Sequence, residues 1–402
     1  MALAYREFRL LWLGQLCQSS AGWAERVTRS WLAYQLTGSA VQLGALELTR
    51  GLASFVLGMW GGVLADRIAK RTLLQLVQMW TFAIFCVMAG LTFSGQLELW
   101  HLYASSIGLS LGGAVNSPVR TAFVGSLVPE ALIINAMSLN SIATNATRMA
   151  APIVTAGLIQ ISGNGAWGFV LSALLYLAVA LFTVMIRHVE VVTRSGQSMV
   201  GSLIEGWRFA VSHRPVLTQL LIGLGPLTIA FNYQALLVVY ATDTLHEGAA
   251  AYGALYSCAG LGALLGGLNV ASMGASVRRG QLLLVAGLLN GVALIGLGAV
   301  GLLPSFWPLF GLAAPLLMLA GGAQTSFRAA NNGLLLANTP RELRGRIMSF
   351  DEGFRSIGTL IAPAIGALAD STNAAVAMAA IGAASLILIA GAWAWQPRIL
   401  KL

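Results

Sequence analysis

Long apolar runs follow one another through almost the whole chain, and only short polar turns separate them. A helix needs roughly 20 mostly apolar residues to cross a lipid bilayer. Twelve segments meet this requirement, at residues 9–36, 40–65, 72–94, 98–127, 131–161, 166–187, 214–242, 249–273, 280–302, 306–337, 345–369 and 373–396. The pattern therefore predicts an all-α polytopic membrane protein with twelve transmembrane helices.

The composition excludes most soluble classes of protein. Only 9% of the residues are charged, whereas a soluble domain carries about 25%. A cytosolic enzyme, a nucleic-acid-binding module and a disordered chain are therefore all excluded. Intramembrane enzymes are disfavoured as well, because the chain has no HExxH motif and all four histidines lie in or at predicted loops. We expect no enzymatic activity, no cofactor and no nucleic-acid partner.

One longer polar stretch, at residues 188–213, divides the segments into two sets of six. The predicted domains are an N-terminal six-helix bundle at 1–187, a cytoplasmic linker at 188–213 with a short amphipathic helix, and a C-terminal six-helix bundle at 214–402. The two halves share a repeat, since Pro129 and Pro340, and again Pro152 and Pro363, lie 211 residues apart. A duplicated six-helix unit with parallel halves explains this spacing.

Basic residues separate cleanly between alternate connections. Arginine and lysine fall on the even-numbered connections and the two tails, with Arg120 placed at a helix end, and they are absent from the opposite loops. Cytoplasmic loops carry such an excess of positive charge. The sequence therefore predicts a multi-pass protein of the cell's inner membrane with both termini in the cytoplasm.

Residues 62–71, Gly-Val-Leu-Ala-Asp-Arg-Ile-Ala-Lys-Arg, carry the first resemblance to a known family. They resemble the signature loop after span 2 of the major facilitator superfamily, with Ala69 where glycine is usual. Residues 8–15, 205–209 and 340–349 are similar to its exporter branch, which includes macrolide efflux pumps and the enterobactin exporter. The resemblance implies a 6+6 pseudo-symmetric fold. It also implies a gating latch between spans 2 and 11 at Asp66, Arg67, Lys70 and Arg71.

Charged residues inside the predicted spans are the main candidates for function, because charge is costly within a bilayer. The proposed substrate- or ion-binding residues are Glu25, Arg29, Glu47, Arg50, Arg148, Arg328, Asp351, Glu352 and Arg355. The spacing predicts ion pairs between Glu25 and Arg29 and between Glu47 and Arg50. Structural ion pairs that only hold helices together are the alternative interpretation. Aromatic and amide side chains on these spans, such as Trp23, Tyr256 and Asn331, are weaker candidates for substrate contact.

These features favour a secondary active exporter that moves a small amphipathic molecule, a drug or a siderophore, by rocker-switch alternating access. Proton antiport is the expected coupling, although Gly108 stands where many drug/proton antiporters of this fold have an arginine. The alternatives are an uncoupled or lipid-type carrier and an uptake transporter. A metal site is not expected, since imidazole and thiolate ligands are absent from the spans or scattered. The expected partners are a small-molecule substrate, protons and the lipid bilayer, and the chain is expected to be a monomer.

Overall fold

The computed structural model describes residues 1–65, 70–187, 199–273, 279–304, 308–340 and 343–395. Within these ranges the chain is helical apart from short connections, and it has no β-strand. The helices of the first part are α1 (Arg6–Thr37), α2 (Ala40–Ala65), α3 (Lys70–Phe93), α4 (Leu99–Leu127), α5 (Ile133–Ser162), α6 (Ala166–Met185) and α7 (Met199–Ser212). Those of the second part are α8 (Arg214–Ile222), α9 (Thr228–Phe231), α10 (Tyr233–Val239), α11 (Ala249–Ser272), α12 (Arg279–Gly301), α13 (Leu309–Ala337), α14 (Arg344–Ile357), α15 (Ala362–Ser371) and α16 (Ala374–Trp395).

Seven helices in the described ranges are long and apolar enough, by length and composition, to cross a membrane. The qualifying stretches are Ala40–Leu57, Lys70–Phe93, Ala166–Met185, Ala249–Ser272, Arg279–Gly301, Leu309–Ala337 and Ala374–Ala394. The helix α1 carries Glu25, Arg26 and Arg29 in its second half, which reduces its mean hydropathy.

Two compact units account for the contacts in the chain. The first unit consists of residues 1–38, 52–196 and 248–257, and the second of residues 39–51, 197–247 and 258–402. In the first unit, α1 packs against α4, α5 and α6, and α3 packs against α4 and α6. An apolar cluster of this unit joins Phe8 and Leu11 of α1 to Leu74 of α3 and Phe123 of α4.

The second unit is centred on α12, which packs along α13 and α16. The linker helix α7, which the sequence predicts, belongs to this unit and packs against α14. Trp207 lies 5.7 Å from the Phe350 ring and 6.2 Å from the Phe354 ring, measured between ring centroids. Glu205 and Arg346 form an ion pair at 2.5 Å beside this contact. The Trp207 ring thus contacts α14, although 45% of this residue and 48% of Val211 on the same helix are exposed.

A proline interrupts α5, and a neighbouring helix of the same unit compensates for it. Proline removes a backbone donor and disturbs the preceding turn of a helix. The backbone N–H of Ile153, next to Pro152, donates to Ser257 Oγ of α11 at 3.1 Å. Side chains of adjacent helices commonly satisfy backbone groups in this way inside membranes.

Close helix contacts occur at the start of α2 and at the start of α11. In the second unit, a Cβ added to Gly44 of α2 would lie 2.3 Å from the carbonyl oxygen of Ala362 in α15. In the first unit, a Cβ added to Gly253 of α11 would lie 2.2 Å from Ala156 Cβ in α5. Small residues at such positions let helix backbones approach closely, which is how helices associate in membranes.

Candidate functional site

The side chains of Glu25 and Arg29 lie one helical turn apart on α1 and form an ion pair. Arg29 Nε donates to Glu25 Oε1 at 2.8 Å, and each residue is 1% exposed. The pairing predicted from the i, i+4 spacing is confirmed. A buried pair of this kind satisfies both charges where water cannot reach them.

A second arginine of the first unit lies against an aromatic cluster. Arg148 of α5 is buried, and its guanidinium carbon is 5.6 Å from the centre of the Trp23 ring. Arg26 approaches the same ring at 5.1 Å. The Trp23 and Tyr256 ring centroids are 5.9 Å apart, and Tyr252 links Tyr256 to Trp31. Cation–π contacts attract a guanidinium group to the face of an aromatic ring, so the Trp23 ring stabilises positive charge at this point of the first unit.

Glu47 and Arg50 lie near the middle of α2, and both are partly buried. They belong to the segment 39–51, which the structure groups with the second unit. Two apolar turns precede Glu47 in α2, so the carboxylate lies well inside the helix.

The remaining four charged candidates come together in the second unit and are named here the α13–α14 group: Arg328, Asp351, Glu352 and Arg355. Arg355 contacts both acids, with Nη1 2.5 Å from Asp351 Oδ2 and Nη2 2.6 Å from Glu352 Oε2. Arg328 Nη2 is 3.9 Å from the same Glu352 oxygen. The side chain of Asp351 is 1% exposed and that of Glu352 is 66% exposed. Arg355 therefore bridges one buried and one accessible carboxylate.

Two further residues adjoin Asp351. Asn331 of α13 is 0% exposed, and within the described ranges neither of its amide atoms has a hydrogen-bond partner. A Cβ added to Gly223 would lie 3.1 Å from Asp351 Oδ1 and 3.3 Å from Asn331 Nδ2. The sequence identifies Asn331 only as a weak candidate and gives no indication of Gly223, because neither residue is charged.

The gating residues are described only in part. Asp66 and Arg67 lie outside the described residues. Lys70 begins α3, and the adjacent Arg71 donates from Nη2 to the carbonyl oxygen of Val184 at 2.7 Å. Arg71 thus ties the start of α3 to the end of α6 within the first unit.

The placement of Arg120 at a helix end is wrong. The residue lies inside α4, which continues to Leu127, and it is buried. Arg120 Nη1 donates to Gln18 Oε1 at 3.1 Å, and Nη2 donates to the carbonyl oxygen of Leu11. The guanidinium therefore joins α4 to α1. Arg120 lies inside the predicted span 98–127, and this position in the sequence already indicates a residue within the helix and not at its end.

Asp370 is a second residue whose role the sequence does not reveal. Its carboxylate accepts hydrogen bonds from the backbone N–H groups of Ala40 at 2.6 Å and Val41 at 3.1 Å, and from Ser39 Oγ at 2.6 Å. A carboxylate at a helix N-terminus satisfies donors that the helix leaves free. Asp370, at the end of α15, thus caps α2. In the described ranges, no three His, Cys, Asp or Glu side chains are grouped as a metal site would require.

The sequence is similar to curated transporters over most of its length. It is 27% identical over 320 residues to the enterobactin exporter EntS of Escherichia coli O127:H6, which covers 78% of this chain and 73% of the relative. The EntS of Citrobacter koseri is 25% identical over 362 residues, which covers 88% of this chain and 83% of the relative.

Solved transporter structures share the fold at low sequence identity. A POT family transporter in complex with a thioalcohol-conjugated peptide superposes with a TM-score of 0.77 at 13% identity, over 98% of this chain and 96% of that one. A bacterial homologue of the human lysosomal transporter Spinster, in an inward-facing and unoccupied conformation, superposes with a TM-score of 0.74 at 16% identity. The match covers 99% of this chain and 98% of that one. The family described as "Transmembrane secretion effector" matches residues 2–401. The chain therefore belongs to this family of membrane-spanning transporters in the major facilitator superfamily, which is not a family of enzymes.

Proposed function

We propose that this chain is a secondary active exporter of a small amphipathic molecule, of the siderophore or drug class, that works by rocker-switch alternating access. The similarity of most of the chain to relatives named as enterobactin exporters carries the proposal. Charged side chains within apolar helices support it, because they are costly in a bilayer and mark substrate and ion pathways.

The proposed topology has twelve spans in two six-helix halves, residues 1–187 and 214–402, joined by the linker 188–213. The helical stretches of the structure begin and end close to the twelve predicted segments, which supports this count. The separation of arginine and lysine between alternate connections supports cytoplasmic termini in the inner membrane. The transporting unit is proposed to be the monomer, since each half supplies its own charged residues.

Proton antiport is the proposed coupling, with a carboxylate in the spans as the proton carrier. The sequence ranks Glu47 first, then Glu25, then Asp351 and Glu352. The closed pairing of Glu25 with Arg29 supports a structural role for that acid. Arg50, Arg148 and Arg355 are proposed to hold an anionic group of the substrate through their guanidinium donors. Asp66, Arg67, Lys70 and Arg71 remain the proposed gating latch.

An accumulation assay tests this function in cells that lack their main efflux pumps. The cells express the wild type, Glu47→Gln, or the control Glu247→Gln, whose exposed side chain lies in the connection before α11. Enterobactin, macrolides, dyes and lysolipids are followed with and without a protonophore. We expect one class of compound to be excluded by the wild type and the control. The protonophore and Glu47→Gln should each restore its accumulation at least about tenfold.

Other outcomes would contradict parts of the proposal. If no compound is extruded, or if one accumulates faster in expressing cells, export is wrong. If extrusion is unaffected by the protonophore, proton antiport is wrong and an uncoupled carrier is favoured. If Glu47→Gln exports like the wild type while the protonophore abolishes export, another carboxylate carries the proton. Membrane levels of each variant, measured by immunoblot, exclude loss of the protein as the cause.

A further inference from the structure

We infer that Asp351, Asn331 and the interrupted helix at Gly223 form a binding site for one monovalent cation, and that Arg355 releases Asp351 to that cation while it keeps Glu352. The role of this site in coupling rests on the proposed function. The binding itself does not, and it can be measured without a transported substrate.

The first observation is that two buried polar side chains, Asp351 and Asn331, approach the same glycine. Asp351 Oδ1 and Asn331 Nδ2 face the same point above Gly223, at 3.1 and 3.3 Å, where a side chain would begin in any other residue. Asn331 is fully buried, and its two amide atoms lack partners within the described ranges. Leaving such a group unpaired in the interior is costly, so a missing partner is expected there. The oxygen and nitrogen of the amide exchange places by a simple flip, which turns the oxygen toward Gly223 and Asp351.

The second observation is the irregular backbone that begins at Gly223. The helix α8 ends at Ile222, and Gly223–Leu227 forms a π-helical turn before α9. The Gly223 N–H is shared between the carbonyl oxygens of Gln219 and Leu220. Such turns are rare and are found frequently at functional sites. In transporters, interrupted helices supply backbone carbonyl groups to coupling ions.

Arg355 has two carboxylate partners, and this explains how Asp351 can become available to a cation. It contacts buried Asp351 and exposed Glu352 at the same time, at 2.5 and 2.6 Å. When a cation neutralises Asp351, Arg355 retains a carboxylate partner, so its own charge is never left unpaired. Without Glu352, release of Asp351 would cost much more. The exposed acid therefore makes the exchange possible.

The surroundings of Asp351 contain few other charges. Five neighbouring stretches pack against α14: α7, α8, α13, the turn at Gly223–Leu227 and the turn at Gly358–Ile361. Their charged side chains are Arg328 on α13, Glu205 and Arg208 on α7, and Arg214 on α8. Arg328 is paired with Glu352 and Glu205 with Arg346. Among the described residues of α14 and these five stretches, Asp351 is the carboxylate that is buried, and Arg355 is its ion-pair partner.

The ligand set favours a hard, singly charged ion. The Asp351 carboxylate and the Asn331 amide both offer oxygen ligands, whereas softer metals prefer imidazole or thiolate. A single carboxylate balances one positive charge. Two cations, a sodium ion and a proton, have this chemistry. A sodium ion would bind Asp351 Oδ1 and Asn331 Oδ1 together, and a proton on Asp351 would let its hydroxyl donate to Asn331 Oδ1.

Thermal unfolding of the purified full chain in detergent tests this site. A ligand that binds only the native state raises the melting temperature. In the sodium arm, NaCl replaces choline chloride at pH 8 and constant ionic strength. In the proton arm, the pH falls from 8 to 6 in choline chloride. We expect a rise of about 3 °C for the wild type in one arm, and the arm that responds identifies the cation.

Variants distinguish cation binding at this site from general effects of salt and pH on the melting temperature. Asp351→Asn and Gly223→Ala should lose the rise, because the first removes the charge and the second places a methyl group 3.1 Å from Asp351 Oδ1 and 3.3 Å from Asn331 Nδ2. Gly225→Ala is the matched control in the same turn, since its added Cβ would meet only Leu388 Cδ1, at an ordinary 3.7 Å. It should keep the rise. Glu352→Gln should shrink the rise, because Arg355 would then hold Asp351 more tightly.

Two results would overturn the inference: a wild type that responds to neither cation, or a rise that survives in Gly223→Ala. If Asp351→Asn does not fold, the Gly223→Ala and Gly225→Ala pair decides the question, since both keep every charge. A chain that binds the cation but exports nothing would contradict the proposed function and leave this site in place.

Discussion

Single charged side chains in this protein have strongly different surroundings. Glu25 and Arg29 form a buried ion pair in which each residue is 1% exposed. Glu352, by contrast, is largely exposed and shares Arg355 with the buried Asp351. A sealed pair stabilises one conformation, because separating the charges is costly. A shared arginine can pass between two acids. The surroundings therefore suggest that the α1 pair is structural and that the α13–α14 group can change state.

The structural role of the α1 pair predicts strong energetic coupling. Glu25→Gln leaves Arg29 buried without that carboxylate, and we expect it to lose about 3–5 kcal/mol of unfolding free energy. The double variant Glu25→Gln/Arg29→Gln should lose much less, because it removes both charges of the pair together. Chemical denaturation of purified variants measures both values. Equal losses in the single and double variants, or a double variant that folds but cannot export, would contradict this role.

At the residue scale, sequence spacing predicts contacts within one helix and fails for contacts between helices. The Glu25–Arg29 pair follows from the i, i+4 spacing on one helix, and the structure shows the same spacing in the Asp351–Arg355 pair, which the sequence analysis does not predict. Arg120 is different, since its partners Leu11 and Gln18 lie on another helix about a hundred residues away. The folded arrangement of α1 and α4 determines that contact, and no local pattern encodes it.

Among the helices, the start of α2 is in close contact with a segment that lies more than 300 residues away in the chain. Gly44 packs on the backbone at Ala362, and Asp370 caps the first turn of α2 from 330 residues away. The sequence places Asp370 only as an acid in a connection, because the cap requires the end of α15 to lie beside α2. The π-helical turn at Gly223 is equally hidden, since Gly-Leu-Gly-Pro-Leu is compatible with a plain kink.

The α2–α15 contact predicts sensitivity to one methyl group. Gly44→Ala would place Cβ against the Ala362 carbonyl group, and we expect a loss of about 1–3 kcal/mol, typical of overpacking. Gly90→Ala on α3 is the control, because no atom lies within 4 Å of its added Cβ. It should gain slightly from the higher helix propensity of alanine. Chemical denaturation of the two purified variants and the wild type measures these changes as shifts of the denaturation midpoint. If the Gly44→Ala variant were as stable as the Gly90→Ala variant, the contact between Gly44 and the Ala362 carbonyl group would accommodate a methyl group without loss of stability, which would contradict the prediction.

For the whole molecule, alternating access requires some helix contacts to break in every cycle. The contact of α2 with α15 and that of α11 with α5 both rest on glycine and on a side chain bonded to backbone, Asp370 in one case and Ser257 in the other. Contacts of this kind have little apolar side-chain area to expose when they part. They are therefore suited to repeated opening, in contrast to the apolar cluster of α1, α3 and α4.

A reversible cross-link tests whether this opening is needed. Ser39→Cys and Asp370→Cys are introduced together after Cys17, Cys86 and Cys258 have been replaced by alanine, because Ser39 Oγ and Asp370 Oδ2 are only 2.6 Å apart. A short bifunctional thiol reagent should reduce export at least about tenfold, and cleavage of the linker should restore it. Each single-cysteine variant, treated in the same way, controls for loss of the cap and for simple modification. Undiminished export by fully cross-linked protein would mean that α2 and α15 stay together throughout transport, and the alternating opening would then have to occur elsewhere in the molecule.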